Sequence, residues 1–138
     1  MRRMATVGLA IGIAVLTFFV GSSAAQAATG FTTHGLSGVS AYGKHYRSTY
    51  KGKKVEVVDA YIKDTRKDGY TAAIKVAFTD HRYQNDYWYL WNSHGAGTTA
   101  RVAVQSYNLD HLYIKECLGH VRSGHFHASK CGSYRKYY

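Results

Sequence analysis

The sequence predicts an all-β fold: a single small antiparallel β-sandwich or barrel of about six to eight short strands. Three observations carry that reading. Apolar residues beyond position 54 alternate or cluster in short runs. Gly, Asn and Asp punctuate those runs with turn chemistry. No stretch after the first 27 residues shows a long apolar stripe of helical period. The chain has 138 residues, 13 Tyr, two Cys and no Pro. Its length allows one domain, and its composition excludes a disordered acidic tail and a dense disulfide scaffold.

Residues 1–27 read as a secretory signal peptide. Arg2 and Arg3 supply a positive start, Ala5 to Val20 is almost wholly apolar, and Ala25-Gln26-Ala27 is a small-x-small cleavage site. Its style resembles that of small exported bacterial proteins. A retained membrane anchor needs about 20 apolar residues, and the cleavage site argues against one. Cleavage at Ala27 leaves 16 Lys and Arg against 8 Asp and Glu, so the secreted domain is strongly basic. That charge favours an anionic partner.

Residues 28–54 are rich in Gly, Ser, Thr, Tyr and Lys with little apolar periodicity, and read as an extended arm or first strands. Residues 55–138 form the β-rich domain. Val55 to Ile62 is a β-branched strand, followed by a turn ending in Asp68-Gly69, a hairpin signal to the next run. From Tyr70 to Thr79, Ala72, Ile74, Val76 and Phe78 point one way, with Ala73 and Lys75 on an expected wet face. Tyr87 to Trp91 is an aromatic strand, and Arg101 to Ser106 a short one. His111 to Cys117 sets Leu112 and Ile114 against Tyr113, Lys115 and Cys117, and His125 to Lys130 turns Phe126 and Ala128 inward. Export implies an oxidising environment, so Cys117 and Cys131 are expected to form one disulfide, closing 15 residues and contributing about 3 kcal/mol.

Function reads as binding. Tyr42, Tyr46 and Tyr50, with Lys51, Lys53 and Lys54, make the N-terminal stretch a Tyr-rich basic surface. Tyr87, Tyr89 and Trp91 share one strand face, where rings provide large contact area at low entropy cost. Arg135 and Lys136 lie within a basic aromatic C-terminus. The expected function is a secreted, non-enzymatic adaptor or accessory subunit meeting another secreted protein through the arm and an aromatic sheet face. The alternative is attachment to an anionic cell-envelope polymer or glycan. The sequence calls for no cofactor and no membrane span after leader removal, and export makes nucleic acid a poor partner.

Two chemical readings rank below these. His120, His125 and His127 are weak metal candidates, since His at i and i+2 share a strand face, but no Asp or Glu follows Leu118. The exported, basic, one-disulfide format resembles that of small microbial guanyl-specific ribonucleases. That resemblance implies an acid and a base flanking a phosphate, drawn from His120 or His125 with Arg122, and Glu56 or Glu116. The Glu-bearing, Arg-bearing and late His-Tyr-Thr segments of that family have no counterparts that align here. A secreted antimicrobial toxin is compatible with the charge, and no residue singles it out.

Overall fold

Two tight turns, Lys51-Gly52 and Ser123-Gly124, have both residues at positive φ (52° and 77°, 52° and 76°). That geometry matches the twist of antiparallel strands and fixes their register. The computed structural model describes residues 27–79 and 86–138. The proposed leader, apart from Ala27, lies outside the described residues, as does the run Asp80 to Asn85. In chain order the described strands are β1 (Thr29–Thr32), β2 (Val39–Tyr50), β3 (Lys53–Asp64) and β4 (Thr71–Ala77). Next come β5 (Tyr87–Trp91), β6 (Thr99–Ser106), β7 (Tyr113–Arg122), β8 (His125–Cys131) and β9 (Arg135–Lys136).

They form two antiparallel sheets. The first has order β1-β2-β3-β6; the second has order β5-β4-β7-β8, with β9 pairing the opposite end of β7. The inner faces meet in one core that includes Val58, Ala60 and Ile62 from the first sheet and Ile74, Val76, Ile114 and Leu118 from the second. Phe78 and Leu112 complete it from beside the strands. Each fully buried Ile, Leu or Phe contributes about 1.5–3 kcal/mol. Cys117 and Cys131 face one another across β7 and β8 and are disulfide-bonded.

Residues 28–54 supply two strands of the first sheet. β2 pairs with β3 along twelve positions, and Phe31, Leu36, Val39 and Ala41 enter the core. The apolar residues there are sparse because only alternate positions face inward. A buried carboxylate holds the β1–β2 connection: Glu116 accepts hydrogen bonds from Thr33 Oγ1 at 2.5 Å and Leu36 N at 2.8 Å.

Three local expectations are corrected. Asp68-Gly69 does not close a hairpin, because both edges of β3 are occupied by β2 and β6, and β4 pairs with β5 and β7. Gly69, at φ 84°, turns the chain from one sheet to the other. The face bearing Ala73 and Lys75 is covered, not wet: both are buried, and Ala73 packs with Cys117 and Phe126 under Tyr89, Trp91 and Cys131. Ala128 is exposed, because the β7–β8 register shifts between Leu118 and Gly119. A Cβ on Gly119 would lie 2.1 Å from the His127 carbonyl oxygen, so this irregular crossing requires glycine.

Candidate functional site

The outer face of the first sheet follows from the register set by Lys51-Gly52. Tyr50 pairs with Lys53, and eight positions back along β2 Tyr42 pairs with Tyr61. The two rings stack with centroids 5.3 Å apart and planes 17° apart, and both are exposed to solvent. Arg101, opposite Tyr61 on β6, makes a bidentate pair with Asp59, at 3.0 Å through Nε and 2.7 Å through Nη2. That guanidinium holds the Asp59 carboxyl below its usual range. Lys44 lies opposite Asp59, with its Nζ 5.6 Å from the Tyr46 ring centre.

This face continues into a cleft between the β1 edge and the C-terminal segment. The cleft is about 550 Å³ and is lined by Gly30, Phe31 and Thr32, Tyr42 and Gly43, and Arg135, Lys136 and Tyr137. A neighbouring hollow of about 280 Å³ shares Tyr42 and Gly43 and adds Lys44, Asp59, Tyr61 and Arg101. Gly43 sits in mid-strand because a Cβ there would lie 2.2 Å from the Asp59 carbonyl oxygen. Tyr137 fixes the far wall: its ring meets Phe31 edge-on at 5.5 Å, and its hydroxyl donates to the Thr32 carbonyl at 3.3 Å. Arg135 places its guanidinium 5.8 Å from the Tyr137 ring.

The sequence-selected residues therefore separate into groups. Tyr42 lines one cleft with Arg135 and Lys136, which lie 93 and 94 positions further along the chain. Tyr46 lies further along the same sheet face. Tyr50, Lys51, Lys53 and Lys54 gather at the β2–β3 turn, with Lys51 Nζ 5.4 Å from the Tyr50 ring. Tyr87, Tyr89 and Trp91 belong to the outer face of the other sheet. There Tyr89 and Trp91 pack on Phe126, at 5.2 and 6.1 Å, so only Tyr87 is well exposed. Lys75 is buried beneath them, its Nζ 4.1 Å from the Tyr87 ring centre and 5.3 Å from Tyr89. Burial, reinforced by the charge of Lys115, lowers the Lys75 pKa.

The nuclease and metal candidates are placed as follows. Glu56 is buried and bound by His45 Nδ1 and Arg47 Nε, each at 3.0 Å. Glu116 is buried on Thr33 and Leu36. Neither carboxylate is presented to solvent as a base. At the β7–β8 hairpin His120 pairs with His127, and Arg122 with His125. Among the described residues no group of three His, Cys, Asp or Glu is placed to hold a metal ion. His120 instead packs its ring 5.1 Å from Tyr70.

The carboxylates decide the electrostatics. Glu56, Asp59, Asp64 and Glu116 are all buried, and Asp86 is half-buried, leaving only Asp68 and Asp110 exposed among the described residues. Twelve described Lys and Arg are exposed. The surface is thus more cationic than the net charge implies, because folding withdraws acids and leaves bases in water. Among the described residues no helix is long and apolar enough to cross a membrane.

Sequence reasoning missed Tyr61, Lys44, Arg101 and Tyr137. The signal for Tyr61 and Lys44 was Lys51-Gly52: read as a two-residue hairpin, it pairs Tyr42 with Tyr61 and Lys44 with Asp59 by counting alone, whereas Arg101 arrives through the non-consecutive β3–β6 pairing. The chain matches no family model, and no curated protein or solved structure proved similar to it.

Proposed function

We propose that this chain is an exported, non-catalytic binding domain that attaches to an anionic polymer or glycan of the cell envelope through the cleft of Tyr42, Arg135 and Lys136. The observation that supports the reading is the charge asymmetry: exposed cations far outnumber exposed carboxylates, and two of them flank a ring-lined cleft. Arg135 and Lys136 engage phosphate or carboxylate groups, while the exposed Tyr42 ring packs on the polymer's apolar edges. Lys44 extends the track along the sheet face, beside Arg101, whose charge is offset by its pair with Asp59.

The test is retention on purified cell walls. The double variant Arg135→Ala/Lys136→Ala is expected to bind at least about tenfold more weakly at low salt, equivalent to about 1.4 kcal/mol. Added salt should release the parent chain, since exposed charges are screened within about 8 Å at physiological ionic strength. Equal retention of parent and variant, or retention indifferent to salt, rejects the proposal.

The adaptor reading is favoured by a different feature. β1 pairs only with Tyr42–His45 of β2, so among the described residues the β1-side edge of Tyr46–Tyr50 is open. An open edge accepts an added strand from a partner protein. Thr49→Pro would block strand addition there and leave the cleft intact.

A further inference from the structure

A second groove lies on the opposite flank of the molecule, where the start of β5 diverges from the end of β6. It measures about 820 Å³ and is lined by Asp86, Trp88 and residues 105–110. Trp88 and Tyr107 are the two most exposed large rings among the described residues, 50% and 53% accessible. Trp88 shares its strand face with Leu90, yet Leu90 packs on the core while the Trp88 ring stands half in water. Burying an indole normally stabilises a small domain, so its exposure beside a groove marks a surface built to be covered.

The groove floor is rigid and polar. Ser106 Oγ donates to the Asp86 carboxylate and accepts from the Asn108 backbone N–H at 2.9 Å, while Asn108 Oδ1 accepts from Asp110 N at 3.2 Å. This chain of hydrogen bonds fixes the loop before any ligand arrives, which lowers the entropy cost of binding. Gln105 and the Asn108 amide both donate and accept, and Asp110 accepts only. Among the described residues no hydrogen bond engages the Gln105 side chain or the Asp110 carboxylate.

We infer that this groove binds an uncharged saccharide, with a sugar ring packed on Trp88 and Tyr107 and its hydroxyls paired with Gln105, Asn108 and Asp110. A pyranose has an apolar C–H face that suits an aromatic platform, and equatorial hydroxyls that donate and accept, matching amides beside a carboxylate. The groove volume lies in the range of ligand sites. Asp86 and Asp110 are offset by one nearby cation, Lys53, whose Nζ lies 5.8 Å from the Tyr107 ring centre, so the groove lacks the cationic excess of the cleft and suits an uncharged ligand. The inference does not depend on the cleft's function.

The chain holds two Trp, so its nitrogen-labelled form gives two indole signals. Trp88→Ala assigns them by removing one. Titration with soluble neutral oligomers of glucose, mannose and N-acetylglucosamine is expected to shift the Trp88 signal saturably with at least one oligomer and leave the Trp91 signal in place. Tyr107→Ala should weaken that binding about tenfold or more, while Arg135→Ala/Lys136→Ala should leave it unchanged. No saturable shift with any neutral oligomer, a response confined to acidic oligosaccharides, or binding that survives Trp88→Ala overturns the inference. Unchanged positions of the remaining backbone signals in each variant verify that the fold is retained.

Discussion

The outer faces of the two sheets have similar compositions and opposite fates. The first carries Tyr42, Tyr61, Lys44 and Arg101, all exposed; the second carries Tyr87, Tyr89, Trp91, Lys75 and Lys115, and most of these are partly or wholly buried. The difference comes from what lies over them. On the second sheet the β8 strand is fastened to β7 by the disulfide and brings Phe126 onto Tyr89 and Trp91. Tyr134 closes the other side, with Lys115 Nζ 4.4 Å from its ring centre. On the first sheet nothing among the described residues covers Tyr42 and Tyr61, so those rings remain available. Tyr and Lys in alternation thus make a second small core in one place and an open, solvent-facing surface in the other.

The sharpest way to break this comparison is to remove half of it. Deleting residues 28–54 takes away β1, β2 and the core residues Phe31, Val39 and Ala41, and is expected to abolish cooperative thermal unfolding. A retained cooperative transition would show that the second sheet stands alone. Phe126→Ala comes next: truncating a buried Phe costs about 3–5 kcal/mol, read as a lower midpoint in denaturant. A loss below about 1 kcal/mol would mean the outer cluster contributes no real core.

Alkaline titration separates the faces more finely. Burial, helped by the neighbouring Tyr89 and Tyr87, pushes the Tyr134 phenol up to about 12. The folded chain therefore keeps a proton that the unfolded chain releases near pH 10. The stability this provides is complete below about pH 10 and lost as pH rises toward about 12. Tyr134→Phe should make the fall in stability across that window shallower, and an unchanged slope would place the phenol in water. The smallest effect is expected on the open face: Tyr61→Ala should cost no more than about 1 kcal/mol, the range of a cross-strand aromatic pair, since its ring stacks on Tyr42 but stays in contact with water.

Much of the architecture is legible in the sequence because alternation and turn chemistry are local. The all-β class and the inward set Ala72, Ile74, Val76 and Phe78 follow from spacing, and the Cys117–Cys131 pairing from their being the chain's two cysteines in a chain read as exported. The boundaries of β5 at Tyr87 and Trp91 follow from its aromatic run. What escaped depends on partners distant in the chain. Lys75 looks like a solvent-facing residue until the Tyr87 and Tyr89 rings of β5 close over it, and Asp68-Gly69 looks like a hairpin until β6 takes the remaining edge of β3. The cleft is the clearest case: Tyr42 was visible as an aromatic and Arg135 and Lys136 as cations, yet only the packing of Tyr137 against Phe31 brings them together. Glu56 and Glu116 show the converse, since nothing local reveals that their carboxylates are spent on holding loops and strands.

The central claim is that the open face and its cleft, and not the covered face, meet an anionic polymer. Backbone chemical-shift mapping with a short glycerol-phosphate oligomer tests it directly. The expected shifts fall on residues 30–32, 42–44, 61, 101 and 135–137, grow saturably and shrink with added salt. Shifts centred on Tyr87, Tyr89 and Trp91, or no saturable shift at low salt, would contradict it.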